Sequence, residues 1–399
     1  TKKNQSSLFL IIVFLTLFEY LRAKLFTGFP WLMPSIVLSS NEYLIQIFAF
    51  VGSFTANLFV FSFSILPFVL ISNFKSKYII FGLLSIPITI LLFSSFFRFY
   101  NKDIEKTNNN LITLVQPNIE QKNKWNLEKR KANLNKLTQL SLQNVNEYKG
   151  INRIIIWPET SFEGSIPNEM KLLSEISKRI LKDQKAILVV GLLRIDTNKL
   201  FNSLVFLNSK GNIIHQYDKI HLVPFGEYIP FRSKFTTIAN FLSLKDFSSG
   251  NIKPNFNLKG LGNILTVICY EILFTEEVIS RLSKNTNLLI NITNDAWFGK
   301  TIGPYQHLAL AKIKAVELGI PLARVANTGI SALISPYGEE ITKIPLYENG
   351  VRTVKLTLPL KNTIYRRYGE IIFIVSILFL IFINIICDFK FGRDLRNEK

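Results

Sequence analysis

The chain has 399 residues, of which 48% are hydrophobic, and a formal net charge of +19. This length accommodates one large domain with accessory segments or two ordinary domains. The lysines and arginines are scattered, without a dense basic run interleaved with aromatic residues, so we expect no nucleic-acid partner; attraction to anionic lipid headgroups explains the charge as well. Three histidines and two cysteines, with no glycine-rich phosphate loop, predict no metal site and no cofactor.

The first apolar segment of the chain is short. It runs from Leu8 to Phe18 after two lysines, a pattern that also fits a signal peptide. No small-residue cleavage site follows, and Glu19 and Arg22 instead lie one helical turn apart, where they can pair. We therefore interpret this segment as a helix.

Three further apolar runs are longer and carry no charge. They are Tyr43–Phe74, whose second half is dense in Phe, Leu and Val, then Tyr78–Phe97 and Ile371–Cys387. At a rise of about 1.5 Å per residue, each can cross or nearly cross a hydrocarbon core of roughly 30 Å. Buried core helices rarely run this long without a charge, so we expect helices that span a membrane.

Basic residues predict the orientation of these helices. If the N-terminus is cytoplasmic, the basic positions of the N-terminus, of the link before Tyr78 and of the C-terminal tail all lie inside, as the positive-inside rule requires. Residues 1–98 then hold about three membrane helices, residues 99–368 form an extracytoplasmic domain, and residues 369–399 hold a last helix and a basic cytoplasmic tail. The positions are Lys2, Lys3, Lys75, Lys77, Lys390, Arg393, Arg396 and Lys399.

The middle of the chain alternates short apolar runs with amphipathic, helix-like stretches. This alternation predicts an α/β domain with a buried sheet. The predicted helices are Glu128–Asn144 and Glu169–Leu181. The predicted strands are Leu111–Val115, Arg153–Ile156, Ala186–Gly191, Ser203–Leu207, Asn263–Ile268, Leu288–Ile292 and Ser331–Ile334.

Three short motifs carry reactive side chains at or near predicted strand ends, where α/β sheets usually place their sites. One is W-P-E, which ends in Glu159, and another is C-Y-E, which begins at Cys269. The third is the block Tyr217–Glu227, Y-D-K-I-H-L-V-P-F-G-E, which contains Lys219. Taken singly, a buried cysteine, a loop carboxylate and a solvated lysine each have an ordinary explanation.

Together the three motifs resemble the signature of the nitrilase superfamily in order, local sequence and rough spacing. The resemblance implies an α-β-β-α sandwich domain, here inserted between transmembrane helices, with Glu159, Lys219 and Cys269 as its catalytic triad. It also implies that Glu227 assists by orienting Lys219 or a substrate amine.

The chemistry suits these residue types. A thiol is mostly protonated at neutral pH and must be activated, and a neighbouring carboxylate can take its proton and later return it to a leaving group. A charged lysine stabilises both the thiolate and the oxyanion of a tetrahedral intermediate. The backbone N–H of Tyr270 is the natural second oxyanion donor.

Segments around this domain resemble the apolipoprotein N-acyltransferase family. The matching stretches are E-x-x-R followed by G-F-P-W between Glu19 and Trp31, V-Q-x-N-I and K-W between Val115 and Trp125, C-Y-E, and N-D-A-W-F-G before G-P-x-Q-H between Asn294 and His307. The resemblance implies a multi-pass protein of the bacterial cytoplasmic membrane with its catalytic domain on the periplasmic side. The family normally has more helices before the G-F-P-W stretch, which favours a truncated start.

The resemblance also implies a ping-pong reaction with a phospholipid as acyl donor, a thioester on Cys269, and a diacylated apolipoprotein as acceptor; we expect a monomer. The alternative is a membrane-tethered nitrilase-family amidase that hydrolyses a small carboxamide. A third reading is a non-enzymatic scaffold, which the intact triad disfavours. Supporting residues implied by the family are Glu227, Tyr270, Glu271, Trp125, Trp297 and Asn202.

Several of these supporting residues also have an ordinary structural explanation. Trp125, Trp297 and Tyr270 could be packing aromatics, and Asn202 a strand-edge residue. The segment from Phe231 to Phe241 spaces its aromatic residues along one helical face, which fits either core packing or a lid that dips into the outer leaflet.

Overall fold

The computed structural model describes residues 7–72, 76–102, 107–143, 145–148, 150–182, 185–230, 246–251 and 255–394. The segment from Phe231 to Phe241, for which the sequence allows a lid, lies outside the described residues. The chain divides into two compact units. One comprises Thr1–Lys102, Val316–Gly319 and Lys361–Lys399, and the other comprises Asp103–Ala315 and Ile320–Leu360.

The first unit is helical. Its α-helices are Ser7–Lys24, Ile47–Ile71, Lys77–Tyr100, Ile364–Tyr368 and Ile371–Asp394, and its short 3-10 helices are Leu25–Thr27, Pro34–Ser40 and Leu44–Gln46. Among the described residues, three helical stretches are long and apolar enough to cross a membrane: Leu44–Ile71, Lys77–Tyr100 and Ile371–Phe389.

The predicted first helix also forms, as Ser7–Lys24, but it is not one of those three. Its last turns carry the charges of Glu19, Arg22 and Lys24, which lower its apolar character. The guanidinium of Arg22 lies 2.6 Å from the carboxylate of Glu19, the pairing that their spacing predicts.

The second unit contains two β-sheets. The first has the strand order β13-β1-β2-β4-β5-β6, with β3 paired to β4, and the second has the order β12-β11-β10-β9-β8-β7. The strands are β1 Thr107–Gln116, β2 Arg153–Ile156, β3 Ser165–Ile166, β4 Ala186–Asp196, β5 Lys199–Leu207, β6 Ile213–Asp218, β7 Asn255–Leu258, β8 Gly262–Ile268, β9 Thr286–Thr293, β10 Leu322–Ala326, β11 Ser331–Ile334, β12 Glu340–Ile344 and β13 Gly350–Thr357.

Two apolar layers hold this unit together. One lies between the sheets and contains side chains such as Leu114, Ile268 and Val325, which are fully buried. The other lies between the first sheet and two helices, where Leu137 and Leu173 pack. The helices of this unit are Leu127–Leu142, Met170–Leu181, Thr275–Arg281 and all but the last turn of Gly303–Leu318. Its 3-10 turns are Gln121–Asn123, Val145–Tyr148, Cys269–Leu273 and Asp295–Phe298. The predicted α/β sandwich is confirmed.

The topology brings the carboxyl ends of strands from both sheets together. β1, β2 and β4 run parallel in the first sheet, and β8, β9 and β10 run parallel in the second. After β1, the N–H of Asn118 donates to the carbonyl oxygen of Asn327 after β10 at 3.0 Å. The side chain of Asn327 in turn donates to Asn294 after β9 at 3.1 Å. This shared edge is where the predicted site residues lie.

Candidate active site

Glu159 stands on a tight turn that follows β2. The buried indole of Trp157 donates to the hydroxyl of Ser141 at 2.8 Å, which fixes the start of the turn. On the other side the turn packs directly on the backbone of Gly191, where an added Cβ would lie 2.4 Å from the carbonyl oxygen of Pro158. Only glycine allows so close an approach. The result is a carboxylate at Glu159 that is 6% exposed.

Lys219 follows β6, and hydrogen bonds hold both its backbone N–H and its backbone carbonyl group. Its N–H donates to the carbonyl oxygen of Asn202 at 2.8 Å, and its carbonyl oxygen accepts from the N–H of Gly250 at 2.8 Å. The side chain is 1% exposed, and its ammonium lies 2.8 Å from a carboxylate oxygen of Glu227 and 3.9 Å from one of Glu159. Burial lowers the pKa of Lys219, but Glu227 and Glu159 outweigh burial and raise that pKa above its ordinary value. The amine therefore stays protonated.

Asn202 connects the two carboxylates that flank this lysine. Its amide donates to Glu159 at 2.7 Å and to Glu227 at 2.9 Å. One amide and one ammonium thus offset the repulsion between two buried carboxylates. Together with Cys269, these residues form what we call the reactive cluster: Glu159, Lys219, Glu227, Asn202 and Cys269.

Cys269 is the first residue after β8 and has a left-handed backbone, with φ at 53°. A side-chain-bearing residue rarely adopts this conformation, and when it does the surrounding structure must hold it there. Asn291 contributes to that hold by donating its amide to the carbonyl oxygen of Cys269 at 3.2 Å. The side chain of Cys269 is partly buried.

The thiol of Cys269 is strongly disposed to keep its proton. Burial, followed by the neighbouring charge of Glu159, raises its pKa to about 12, although Lys219 and a hydrogen bond with Thr293 act in the opposite direction. A free thiolate is therefore rare at neutral pH. Nucleophilic attack requires a base that accepts the proton as the new bond forms. Two carboxylates act electrostatically on the thiol, Glu159 and, more weakly, Asp295. Glu159 is the candidate base, because Asp295 is engaged with Arg324 and His307.

Glu271 joins the loop of Cys269 to the loop of Lys219. It is fully buried, and one of its oxygens accepts from the hydroxyl of Tyr217 at 2.6 Å and from the N–H of Ile220 at 2.8 Å. The other oxygen accepts from the N–H of Ile268 at 2.7 Å. One carboxylate thereby fixes the residues on either side of the lysine and the residue before the cysteine. The predicted supporting residue Glu271 is a positioning group in this geometry.

A second group of buried polar side chains lies behind Cys269; we call it the support cluster, and it comprises Asn291, Asp295, His307 and Arg324. Asp295 accepts from His307 at 2.9 Å and from Arg324 at 2.6 Å, and Arg324 also donates to Asn291 at 2.8 Å. Burial raises the pKa of Asp295, but Arg324 and His307 hold it well below its usual range. Burial and Arg324 lower the pKa of His307.

The sequence did not identify this support cluster as part of the site. Asp295 and His307 stand in the motifs N-D-A-W-F-G and G-P-x-Q-H, so a signal was present for them. Asn291 and Arg324 lie inside apolar strands and carry no local signal, because their role depends on the pairing of β9 with β10.

Lys124 is another residue that sequence reasoning did not select. Its side chain is 2% exposed, and its ammonium donates to the backbone carbonyl oxygen of Glu159 at 3.1 Å. Burial lowers the pKa of Lys124 to about 8, although Glu159, Glu163 and Cys269 act in the opposite direction. In the sequence Lys124 is marked only by the K-W motif, and Trp125 was the residue of that motif predicted to support the site.

The aromatic supporting residues divide into two kinds. The ring of Tyr270 is buried and packs edge-on against Phe274 at 5.0 Å and against His221 at 5.9 Å. Trp125 and Trp297 are 48% and 75% exposed. Neither tryptophan is therefore a core residue, and their roles in the site stay predictions.

The donor set of the reactive cluster suits acyl transfer rather than metal binding. Within the described parts of the chain, no group of three or more His, Cys, Asp and Glu side chains is arranged to hold a metal ion. A thiol next to a carboxylate that can accept a proton and a lysine that stays charged can form and discharge a thioester.

Comparison with known proteins first defines the class. Residues 111–364 match the carbon-nitrogen hydrolase family. Among solved structures, a mutant of the Nesterenkonia AN1 amidase from the nitrilase superfamily is similar with a TM-score of 0.48 and 18% identity, covering 69% of this chain and 99% of that one. The family match, which covers more than half of the chain, shows that the second unit is a carbon-nitrogen hydrolase domain.

The N-terminal region and the full-length relatives narrow the class further. Residues 1–66 match the N-terminal domain of apolipoprotein N-acyltransferases. The apolipoprotein N-acyltransferase of Bradyrhizobium diazoefficiens is 30% identical over 386 residues, covering 92% of this chain and 71% of the relative. That of Rickettsia bellii is 31% identical over 406 residues, covering 98% and 78%. This chain belongs to the apolipoprotein N-acyltransferase family, which favours the predicted N-acyltransferase over the amidase.

Proposed function

We propose that Glu159, Lys219 and Cys269 transfer an acyl chain from a phospholipid to the N-terminal amine of a diacylglyceryl-cysteine lipoprotein. The observation that carries this proposal is the reactive cluster itself. It gathers a partly buried thiol, a buried carboxylate and a charged lysine at one edge of two sheets, in a chain of the N-acyltransferase family.

In the first half-reaction the thiol of Cys269 attacks an ester carbonyl carbon of the phospholipid. Glu159 accepts the thiol proton as the sulfur–carbon bond forms, and a tetrahedral intermediate results. The ester carbon–oxygen bond then breaks, and Glu159 returns the proton to the departing lysophospholipid oxygen. The acyl group remains on the sulfur as a thioester.

In the second half-reaction the α-amine of the lipoprotein attacks this thioester. Glu159 accepts a proton from the amine as the carbon–nitrogen bond forms, and the carbon–sulfur bond then breaks. Cys269 recovers a proton from Glu159, and the acylated lipoprotein leaves as an amide. Every proton that moves passes through one carboxylate, so the enzyme returns to its starting state after each cycle.

Lys219 and the backbone stabilise the charges that develop. The ammonium of Lys219 offsets the negative charge of the thiolate and of the oxyanion in both tetrahedral intermediates. The N–H of Tyr270, the residue after the nucleophile, is the second oxyanion donor. Glu227, at 2.8 Å from Lys219, keeps the lysine charged and oriented.

We further propose a multi-pass arrangement in the bacterial cytoplasmic membrane. In this arrangement residues 1–98 hold the first helices, residues 99–368 form the catalytic domain on the periplasmic face, and residues 369–399 hold the last helix and a cytoplasmic tail. Three described helical stretches are long and apolar enough to span. The chain is proposed to act as a monomer, since it contains the whole triad.

The test is the intact mass of the full-length protein, purified in detergent and incubated with phospholipid, with and without a diacylated lipopeptide. We expect an increase equal to one acyl chain, absent in Cys269→Ala and discharged when the lipopeptide is added. Hydrolysis of simple amides without any acyl adduct would instead support the tethered amidase. Absence of both activities would contradict the proposed triad chemistry for this chain.

A further inference from the structure

Lys124 is a second buried lysine at the active site, and the mechanism above does not use it. Its side chain is as well buried as that of Lys219, at 2% and 1% exposed. A buried ammonium is costly unless nearby groups compensate its charge, so a lysine is rarely kept there without a role. The groups that surround Lys124 indicate that role.

The charge balance of the reactive cluster is incomplete without Lys124. Glu159 and Glu227 contribute two negative charges, whereas Lys219 contributes one positive charge. An excess of negative charge opposes both thiolate formation and the growth of an oxyanion on Cys269. Lys124 supplies a second positive charge, and it interacts electrostatically with Glu159, Glu163 and Cys269. The further negative charge of Glu163 is shared with Arg130.

The contact that Lys124 makes leaves the proposed base free to act. Its ammonium donates to the backbone carbonyl oxygen of Glu159 at 3.1 Å, so it holds the turn and not the carboxylate. The other acidic group that faces it, Glu163, accepts a 2.7 Å hydrogen bond from Asn133 at one of its two carboxylate oxygens. A charge placed in this way fixes the position of Glu159 without forming a tight ion pair that would prevent proton transfer.

The segment that carries Lys124 is itself fastened across the site. The N–H of Lys124 donates to the carbonyl oxygen of Gln121 at 3.3 Å, and the side chain of Gln121 accepts from Asn294 at 3.0 Å. Asn294 follows β9 of the second sheet, whereas Glu159 follows β2 of the first. Lys124 therefore connects the two sheets at the edge where the reaction takes place.

We propose that Lys124 is a positioning residue of the acylation step, which fixes the Glu159 turn and stabilises the negative charge that develops on Cys269. This proposal rests on the proposed triad chemistry. It adds a residue that the three nitrilase motifs do not contain, and it explains why a lysine is buried directly before an exposed tryptophan.

The contribution of Lys124 has a distinct pH dependence. Because burial lowers its pKa to about 8, against the opposing effects of Glu159, Glu163 and Cys269, the side chain is charged below this pH and neutral above it. Stabilisation of the thiolate by Lys124 is therefore present below about pH 8 and is lost as the pH rises through that value. A purely structural role would show no such change.

The experiment measures the rate at which iodoacetamide alkylates Cys269 in the detergent-solubilised full-length protein between pH 6 and pH 10. Peptide mapping distinguishes Cys269 from Cys387. The variants are Lys124→Met, which removes the charge at similar volume, and Lys124→Arg, which keeps it. The matched control is Lys314→Met, since Lys314 is 1% exposed and donates to Thr275 elsewhere in the second unit.

We expect Lys124→Met to react about tenfold more slowly than wild type at pH 7, the change that one pKa unit produces. The ratio of the wild-type alkylation rate to that of Lys124→Met should fall towards one above pH 8, where the wild-type lysine is neutral. Lys124→Arg should match wild type at pH 7 and exceed it above pH 8, because arginine stays charged. A ratio that does not vary with pH, or the same effect in Lys314→Met, would overturn the proposal.

Two further measurements distinguish a variant that does not fold from a protein that lacks the proposed acyltransferase activity. If Lys124→Met does not fold, the comparison of Lys124→Arg with wild type across pH 8 decides the same point. Acylation of Cys269 is then measured in a single turnover with phosphatidylglycerol, a donor without a titratable amine. Wild-type protein that gains no acyl mass would refute the proposed function, whereas the alkylation ratios would still decide the role of Lys124.

Discussion

The reactive cluster and the support cluster are both buried and charged, but they are bonded in different ways. Glu159 accepts a hydrogen bond from Asn202, and its carboxylate lies 3.9 Å from the ammonium of Lys219. Asp295 accepts from Thr293, His307 and Arg324 at 3.0, 2.9 and 2.6 Å. The negative charge of Glu159 is therefore weakly compensated, whereas both carboxylate oxygens of Asp295 accept close hydrogen bonds.

This difference fits the proposed mechanism, in which Glu159 gains and loses a proton during the reaction whereas Asp295 stays ionised. The thiol of Cys269 holds its proton tightly, and in the proposed mechanism Glu159 can accept that proton because its ion pair with Lys219 is long, at 3.9 Å. Asp295 has its pKa well below the usual range, after burial is outweighed by Arg324 and His307, so it stays anionic. It can therefore anchor the strands behind the nucleophile without taking part in proton transfer.

The largest expected effect comes from Glu159→Gln. Glutamine keeps the volume and can still accept from Asn202, but it cannot take the thiol proton. We expect thioester formation on Cys269 to slow by about 10²- to 10⁴-fold, the usual contribution of a general acid or base. Stopped single-turnover acylation, read by intact mass, measures the rate.

The control for this change is the melting temperature of the same protein, which should shift little because Glu227 still pairs with Lys219 at 2.8 Å. Near-normal turnover would remove Glu159 from the mechanism. A protein that is inactive because it has melted would say nothing about proton transfer, so both readings are needed.

A smaller effect, now on stability, is expected for Arg324→Met. Arg324 and Asp295 are both fully buried, and removal of the arginine leaves a buried carboxylate without its cation. Breaking a buried pair in this way typically costs about 3–5 kcal/mol. The melting temperature of the full-length protein should fall clearly further than it does in Glu159→Gln.

A double variant shows whether the unpaired charge is the cause. Adding Asp295→Asn to Arg324→Met removes the charge and keeps an acceptor for His307, so part of the lost stability should return. If the double variant is less stable than Arg324→Met alone, the support cluster is held by packing and not by compensated charge.

Glu159, Lys219, Glu227 and Cys269 were selected from sequence because they stand in short, distinctive motifs, and their roles stay predictions. The confirmed family assignment rests on those motifs, and the structure brings Glu159, Lys219 and Cys269 to one edge. Arg324 and Asn291 could not be found in this way. Each looks like an anomaly inside an apolar strand until the parallel pairing of β9 and β10 places them side by side.

Prediction of the strands from sequence is limited in the same way. The strands Arg153–Ile156 and Ser331–Ile334 were predicted with the bounds that the structure gives. The strands β3, β6, β7, β10, β12 and β13 were not predicted, because they are very short or because charged or polar residues interrupt their apolar pattern. In β10 the interruption is Arg324, whose burial depends on a partner 29 residues earlier in the chain. Local patterns do not contain such partners.

The smallest effects compare two asparagines with the same chemistry. Asn202 is 3% exposed and donates to both Glu159 and Glu227, whereas Asn291 is fully buried and joins Arg324 to the carbonyl oxygen of Cys269. Replacing either by leucine leaves buried polar partners without a hydrogen bond, at about 1–3 kcal/mol. For Asn202→Leu we expect the loss mainly in the rate of acylation, since two carboxylates lose their shared donor. For Asn291→Leu we expect it mainly in the melting temperature. Suppose instead that Asn202→Leu lowers mainly the melting temperature and Asn291→Leu mainly the acylation rate. The reactive cluster would then not be the group that sets the rate, nor the support cluster the group that sets the stability.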